Sequence, residues 1–387
     1  MPQSKISIDD ILQGTSIGSV DKAVGNNLFG FNHNQTPSAV PANREHQGFI
    51  FIVRPQLNLQ DDNVKNVRKF FPLASDLSNT TIHRFVRTTL DPRLMTDYKF
   101  GKATTIPKIE SPLTNNEQAF IPVLTNNALT SSGWPDPVVP IWTSRPGRYN
   151  ESIAMVDGMV ENFEQFTIDV TFRNTVADPV LYLFYIWTLY CQQVFSGKMV
   201  PYPDFITDNR IDYNTRLYRV RLDRNRHRVT KIMSTGPAIP VAASVGQFGD
   251  MNVEEILSLS NKDIAIRFQC GGFEIFDDIL VFEFNETVRI FKPDMADDKR
   301  DQTMVLVPRT LSHIFQHRAY PRINPNNHVM EWWVESALFD TRSRVFLDSL
   351  NAVQDSPTPS DGEPVFDDNE ESEDDGNIGD RTLEGNQ

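Results

Sequence analysis

The stretch from Asn174 to Gly197, NTVADPVLYLFYIWTLYCQQVFSG, restricts the fold more than any other part of this chain. From Val180 to Cys191 it is apolar or aromatic at every position except Thr188. Asp178 and Pro179 suit a helix start: an acidic cap can bond free amides, and proline at the first helical position gives up a donor with no partner anyway. Gly197 suits a helix stop. The predicted helix, Pro179 to Phe195, is greasy all round, whereas a surface helix carries a single apolar stripe. Its 17 residues include Gln192 and Gln193 and fall short of the roughly 20 apolar residues that cross a bilayer. No excess of Lys or Arg flanks one side. The expectation is therefore no membrane contact, with the helix enclosed between its own sheet and another surface, which can belong to another subunit. Leu183, Ile186 and Trp187 are the interface candidates on that dry flank.

The rest of the chain reads mostly as strands and loops. GFIFIVRPQL, from Gly48, is a continuous apolar run and predicts a strand buried on both faces. In NFEQFTIDVTFR (162–173), Phe166, Ile168, Val170 and Phe172 alternate with Thr167, Asp169, Thr171 and Arg173, the period of a sheet with one dry face. DIAIRFQC (263–270) alternates in the same way. Residues 215–223 and 227–233 form a predicted hairpin with RNR in its turn. NTTIHRFVRTTL (79–90) fits a short helix, and 278–291 fits either a strand or a short helix. Residues 311–350 look helical in places, with an aromatic knot at Trp332 and Trp333. The 25 prolines and the Pro-, Asn- and Ser-rich segment 104–149 predict a long, ordered, irregular excursion of the functional or interfacial kind. The expected class is α+β, a mainly antiparallel, barrel-like body with one buried helix and long loops.

Both ends differ from this body. Residues 1–47 read as a polar arm, either wrapped on a neighbour or free, with one short helix near Ile8 to Gln13. They lack an apolar h-region, so no secretory signal is expected. Residues 351–387 hold 12 acids against Arg381, a balance of −11 that leaves only −3 of the total −14 for residues 1–350. With almost nothing apolar to bury, this tail is expected to be disordered. The domain reading is an arm (1–47), a β-rich body (48–350, with 104–149 as a loop insertion) and an acidic tail (351–387).

Catalytic and metal signatures are missing. No dinucleotide, P-loop, zinc-protease or nucleophile-elbow motif occurs. His313 and His317 in SHIFQH have helical spacing but no third ligand nearby in sequence. Asp277 and Asp278 are adjacent, so on a strand they point to opposite faces. Cys191 and Cys270 form no disulfide framework. No enzyme activity, cofactor, metal or small-molecule substrate is expected. The strongest charge feature is RLYRVRLDRNRHRVTK, with Arg216, Arg219, Arg221, Arg224, Arg226, Arg228 and Lys231 as interface candidates. Arg219 and Arg221 share one strand face, predicting an outward guanidinium row. In a near-neutral body, that row suits carboxylates of another chain better than free DNA.

GFIFIVRPQLNL, QAFIPVLTNNALTSSGWPD, DPVLYLFYIWTLYCQQVFSGKMVPYPDFITDNRIDYNTRLYRVRLD and FNETVRIFKPDM together resemble virion structural proteins of large contractile-tailed bacteriophages, over about Gly48 to Met295. The resemblance implies a tail or baseplate subunit, tube-initiator-like, made in the host bacterial cytoplasm and carried in the virion. Its partners would be copies of itself in a ring and other tail or baseplate proteins, with DNA only as passing cargo. The alternatives are a head–tail connector or neck protein, and a DNA-contacting virion protein.

Overall fold

The computed structural model describes residues 45–344 apart from 77, 96–97, 100–101, 104–108, 110, 159–163, 250–252, 255–262 and 316–317. The N-terminal arm up to residue 44, its short helix, and the acidic tail lie outside the described residues. Contact clustering separates residues 1–336 from 337–387; within the second unit, residues 337–344 are helical.

Two four-stranded antiparallel sheets organise the first unit. One runs β1 (His46–Ile52), β8 (Leu217–Leu222), β9 (Val229–Thr235), β12 (Phe273–Ile275). The other runs β10 (Ala238–Ala243), β11 (Asp263–Gly271), β7 (Gln165–Arg173), β4 (Ala128–Ser132). A third sheet orders β13 (Met304–Leu306), β15 (Met330–Glu335) and β14 (Tyr320–Ile323), and two small hairpins pair β2 (Tyr98–Lys99) with β3 (Lys102–Ala103) and β5 (Ile141–Thr143) with β6 (Ala154–Val156). The class is α+β, as the sequence predicts. Barrel closure does not occur among the described residues: β1 and β12 end one large sheet, β10 and β4 the other.

The predicted buried helix is α2 (Pro179–Phe195), and α1 (Ile82–Leu90) lies beside it. Asp178 does not cap it through its side chain; the residue sits in the left-handed region, and its carboxylate accepts from the Asn174 amide at 2.5 Å. Pro179 opens the helix and Gly197, at φ +71°, closes it. Val180, Leu181, Leu183, Phe184, Ile186, Trp187, Leu189 and Tyr190 are buried in a core shared with Ile168, Val170 and Phe172 of β7, Ile264, Ile266 and Phe268 of β11, and Ile50 and Ile52 of β1. The Phe184 ring lies 5.6 Å from Phe172 and 5.7 Å from Phe268. The Trp187 indole donates to the Tyr213 carbonyl at 3.0 Å, so its one polar atom is paired. A stripe of Tyr182, Tyr185, Thr188 and Cys191 is half-buried, and Phe195 is exposed.

β1 is buried on both faces from Ile50 to Ile52, as the GFIFIV run predicts. Ile50 and Ile52 face the α2 core, while Phe51, Tyr218, Val220 and Leu222 face a second core under α3 (Ile279–Phe291). Residues 278–291 fit two periods in the sequence; the helix is selected because Leu280, Val281, Phe284 and Val288 form one stripe, the spacing a helix can bury. Phe284 meets Phe51 at 5.2 Å and Phe120 at 4.8 Å. Trp332 and Trp333 lie on strand β15 rather than on a helix. Residues 122–127 are helical, and β4 and β5 follow, so the described part of the 104–149 excursion is more regular than expected.

Polar side chains hold the crossing that leaves β1. The Leu59 amide and the Tyr202 hydroxyl both donate to Asp91 Oδ2 at 2.8 Å. Tyr190 donates its hydroxyl to Asp212 and accepts from the Asn58 amide at 3.2 Å. Arg87 donates to the Leu59 carbonyl at 2.7 Å and to Leu73 at 3.0 Å. Burial pushes the Asp91 carboxyl up to about 6 despite its donors, and burial does the same to Asp212.

Two outcomes follow from this packing. Ile186→Ala is expected to lower the unfolding free energy of the isolated chain by about 2–4 kcal/mol, read from its urea midpoint. For pH, an unfolded Asp titrates near ~4, whereas folded Asp91 and Asp212 keep their protons up to about 6. The folded state binds more protons in that window, so stability rises as pH falls from 7 towards ~4, by on the order of 2 kcal/mol per group. Asp204 and Asp297, held low by hydrogen bonds from Arg93 and Arg300, lose their contribution on further acidification. Melting scans from pH 7.5 to 4.5 check the slope, which Asp91→Asn should flatten.

Candidate assembly surface

The arginine hairpin forms as the sequence predicts. β8 and β9 pair Tyr218 with Ser234, Val220 with Ile232, and Arg221 with Lys231. Alternation sends Tyr218, Val220 and Leu222 into the second core and leaves Arg219 and Arg221 on the other face. Those guanidiniums do not form a free outward row. Gly48, at φ +70°, lets β1 approach so closely that a Cβ there would sit 2.1 Å from the Val220 carbonyl oxygen. That approach brings the Gln47 carbonyl within reach of Arg219, which also donates to Gln47 Oε1 at 2.8 Å. Burial, then the neighbouring charge of Arg221, lowers the pKa of Arg219. Arg221 and Lys231 share Glu45 Oε2, each at 3.4 Å. Arg216 pairs with Glu283 at 2.6 Å and donates to the Thr235 carbonyl at 2.8 Å. Arg224 and Arg226 stand exposed at the turn, and Arg228 is half-buried.

The apolar interface candidates are also relocated. Leu183, Ile186 and Trp187 each show 0% exposure within this single chain. This flank of the helix is dry because the chain's own β10–β11–β7 sheet and α1 cover it, so these three residues do not form a surface that a neighbour can reach. His313 lines a cavity described below, and His317 lies outside the described residues. Among the described residues, no group of three or more His, Cys, Asp or Glu could hold a metal ion.

A different surface comes forward, the β5–β6 ribbon. Ile141 pairs with Val156, Trp142 with Met155 and Thr143 with Ala154. The Ser144 amide donates to the Ile153 carbonyl and the Gly147 amide to Glu151, both at 2.8 Å. Neighbouring positions on a strand face opposite ways, so Trp142 with Met155 forms one apolar face and Ile141 with Val156 the other. Val138, Val139, Ile141, Trp142, Tyr149, Ile153, Met155 and Val156 are between 45% and 85% exposed. A lone two-stranded ribbon is marginal in water, and a patch of this kind marks a contact site. The proline-rich composition pointed to an interfacial loop here; the pairing of residues 141–143 with 154–156, which carries the patch, was not anticipated. The outer strands β4 and β10 add edges that are open among the described residues except where Thr215 bridges Ala238, with Leu129 and Val241 exposed on them.

A chain with an uncovered apolar ribbon, open sheet edges and a neutralised arginine face has the features of a structural subunit, whose chemistry is contact. The chain belongs to the family described as "Putative phage tail tube protein", whose model matches residues 3–348. It is therefore a phage tail structural component and part of the virion. Among solved structures, it is similar to the tube-terminating cap of the anti-feeding prophage, at 12% identity and a TM-score of 0.23, covering 38% of this chain and 78% of that one. No curated protein matches it. No helix among the described residues is long and apolar enough to cross a membrane.

The hairpin contacts separate arginines by their structural roles. Arg216→Met is expected to cost about 1.5–3 kcal/mol through its lost charged hydrogen bonds. Arg224→Ser and Arg226→Ser should each stay within about 0.5 kcal/mol of wild type. Urea midpoints of the three variants make the comparison.

Proposed function

We propose that the chain assembles with copies of itself into a closed ring of the phage tail tube, with the β5–β6 ribbon of each copy lying against a neighbour. The observation that carries this reading is the ribbon itself, apolar on both faces and uncovered among the described residues. The open edges support it. β4 and β10 end the same sheet, and β4 of one copy beside β10 of the next would continue that sheet around a ring. Such a head-to-tail contact closes without leaving an edge for aggregation. The partners are then copies of this chain and other tail or baseplate proteins, with DNA only as passing cargo.

A position at the baseplate end follows from the sequence resemblance to tube-initiator-like components. Immunogold labelling of intact particles tests it: label at the distal end of the tail supports the position, and label at the head–tail junction replaces it with a connector role.

For the ribbon, the double variant Trp142→Ser/Val156→Ser is expected to keep the melting temperature of the isolated chain, within about 0.5 kcal/mol. It should be lost from particles purified after complementation, as read by mass spectrometry. Incorporation at the wild-type level would remove the ribbon from the assembly.

A further inference from the structure

Six cationic side chains are buried in the described body, four have a carboxylate partner, and Arg54 alone of the other two leaves a whole side of its guanidinium without any partner among the described residues. Arg87 has Asp61 at 2.5 Å, Lys292 has Glu117 at 2.7 Å, Arg300 has Asp297 at 2.5 Å and Arg322 has Glu331 at 2.9 Å. Arg84 donates to the Asp76 and Ser78 carbonyls. Arg54 is as buried as these, at 3% exposure. Its Nη2 donates to the Asn115 carbonyl at 2.8 Å, but its Nε and Nη1 have no hydrogen-bond partner among the described residues. An unpaired buried cation costs several kcal/mol, because its lost hydration is not replaced. Burial also pushes the Arg54 guanidinium down to about 10.

Arg54 lines a cavity of about 710 Å³. Thr89, Thr114, Asn126 and Asn127 contribute polar walls, and Phe85 and Ile121 apolar ones. No Asp or Glu lines it among the described residues. That volume lies within the range of sites that take small molecules or inserted side chains. Free guanidinium donors suit the oxygens of a carboxylate or phosphate.

We propose that the Arg54 cavity is an oxyanion site, built to receive a carboxylate or phosphate group that the described residues do not supply. The group can come from a free anion or from an acidic side chain of a second copy. The site stands whether or not the ring reading holds, since it rests on the single chain.

The test is the melting temperature of the full chain in sodium glutarate and in sodium phosphate, against sodium chloride of equal ionic strength. A ligand that binds only the folded state raises the melting temperature with its concentration. The expected result is a rise in at least one oxyanion. Arg54→Met should melt above wild type in chloride, because the unpaired cation is gone, and should bind that anion at least 10-fold more weakly. Arg54→Lys keeps the charge and should respond less than wild type but more than Arg54→Met, so the site can be judged even if the methionine variant does not fold. Glutarate that also slows self-association points to a neighbour's carboxylate as the natural occupant; unchanged association points to a free anion. No rise over chloride in either oxyanion overturns the proposal, and so does a full response retained in Arg54→Met.

Discussion

Burial of α2 among the β10–β11–β7 sheet and α1 is the constraint on which the rest of the fold depends. Its eight buried side chains belong to a core shared with β7, β10 and β11 of one sheet and with α1. Each such side chain is worth about 1.5–3 kcal/mol in removed apolar surface. The helix therefore holds α1 to that sheet, and its polar atoms must be paired inside. Trp187 and Tyr190 do this through the Tyr213 carbonyl and Asp212. The first sheet then works as a shared wall, since its far face meets a second core under α3.

Charge is handled with similar economy. The hairpin that reads as an interaction surface is largely neutralised at home, by Glu45, Gln47 and Glu283. Exposed ion pairs of that kind add only about 0–1 kcal/mol each, so their main effect is to fix β1 and the α3 edge against β8 and β9. The same rule makes Arg54 conspicuous. Where Arg87 and Lys292 are satisfied by carboxylates, Arg54 keeps two donor nitrogens unpaired beside a cavity that no acid lines among the described residues.

The apolar surface left outside the core includes the β5–β6 ribbon and the edges of one sheet. A tail structural protein has a use for both. In the proposed ring, burial that one chain cannot complete becomes available when chains meet, and the sheet edges would set the direction in which they add.

Much of the fold is legible in the sequence wherever burial is periodic along the chain. The α2 helix, the alternating β7 and the β8–β9 hairpin can be drawn from residue spacing alone, because side-chain direction is set locally by 3.6 or 2 residues per repeat. Residues 278–291 were ambiguous because a short apolar run satisfies both periods until a core selects one. Trp332 and Trp333 look like a helical knot until β14 and β13 flank their strand. The candidate site was less legible. The sequence displays the arginines, but Glu45 and Gln47 are more than 170 positions from Arg219 and Arg221, and only the sheet brings them together. It marks residues 104–149 as proline-rich, yet whether Trp142 and Val156 are covered depends on what packs over them. Sequence by itself determined which segments would be dry, which would carry charge and which local conformation each would adopt. Tertiary structure alone decided which surfaces and charges were left without partners, because burial and pairing depend on contacts between residues far apart in the chain.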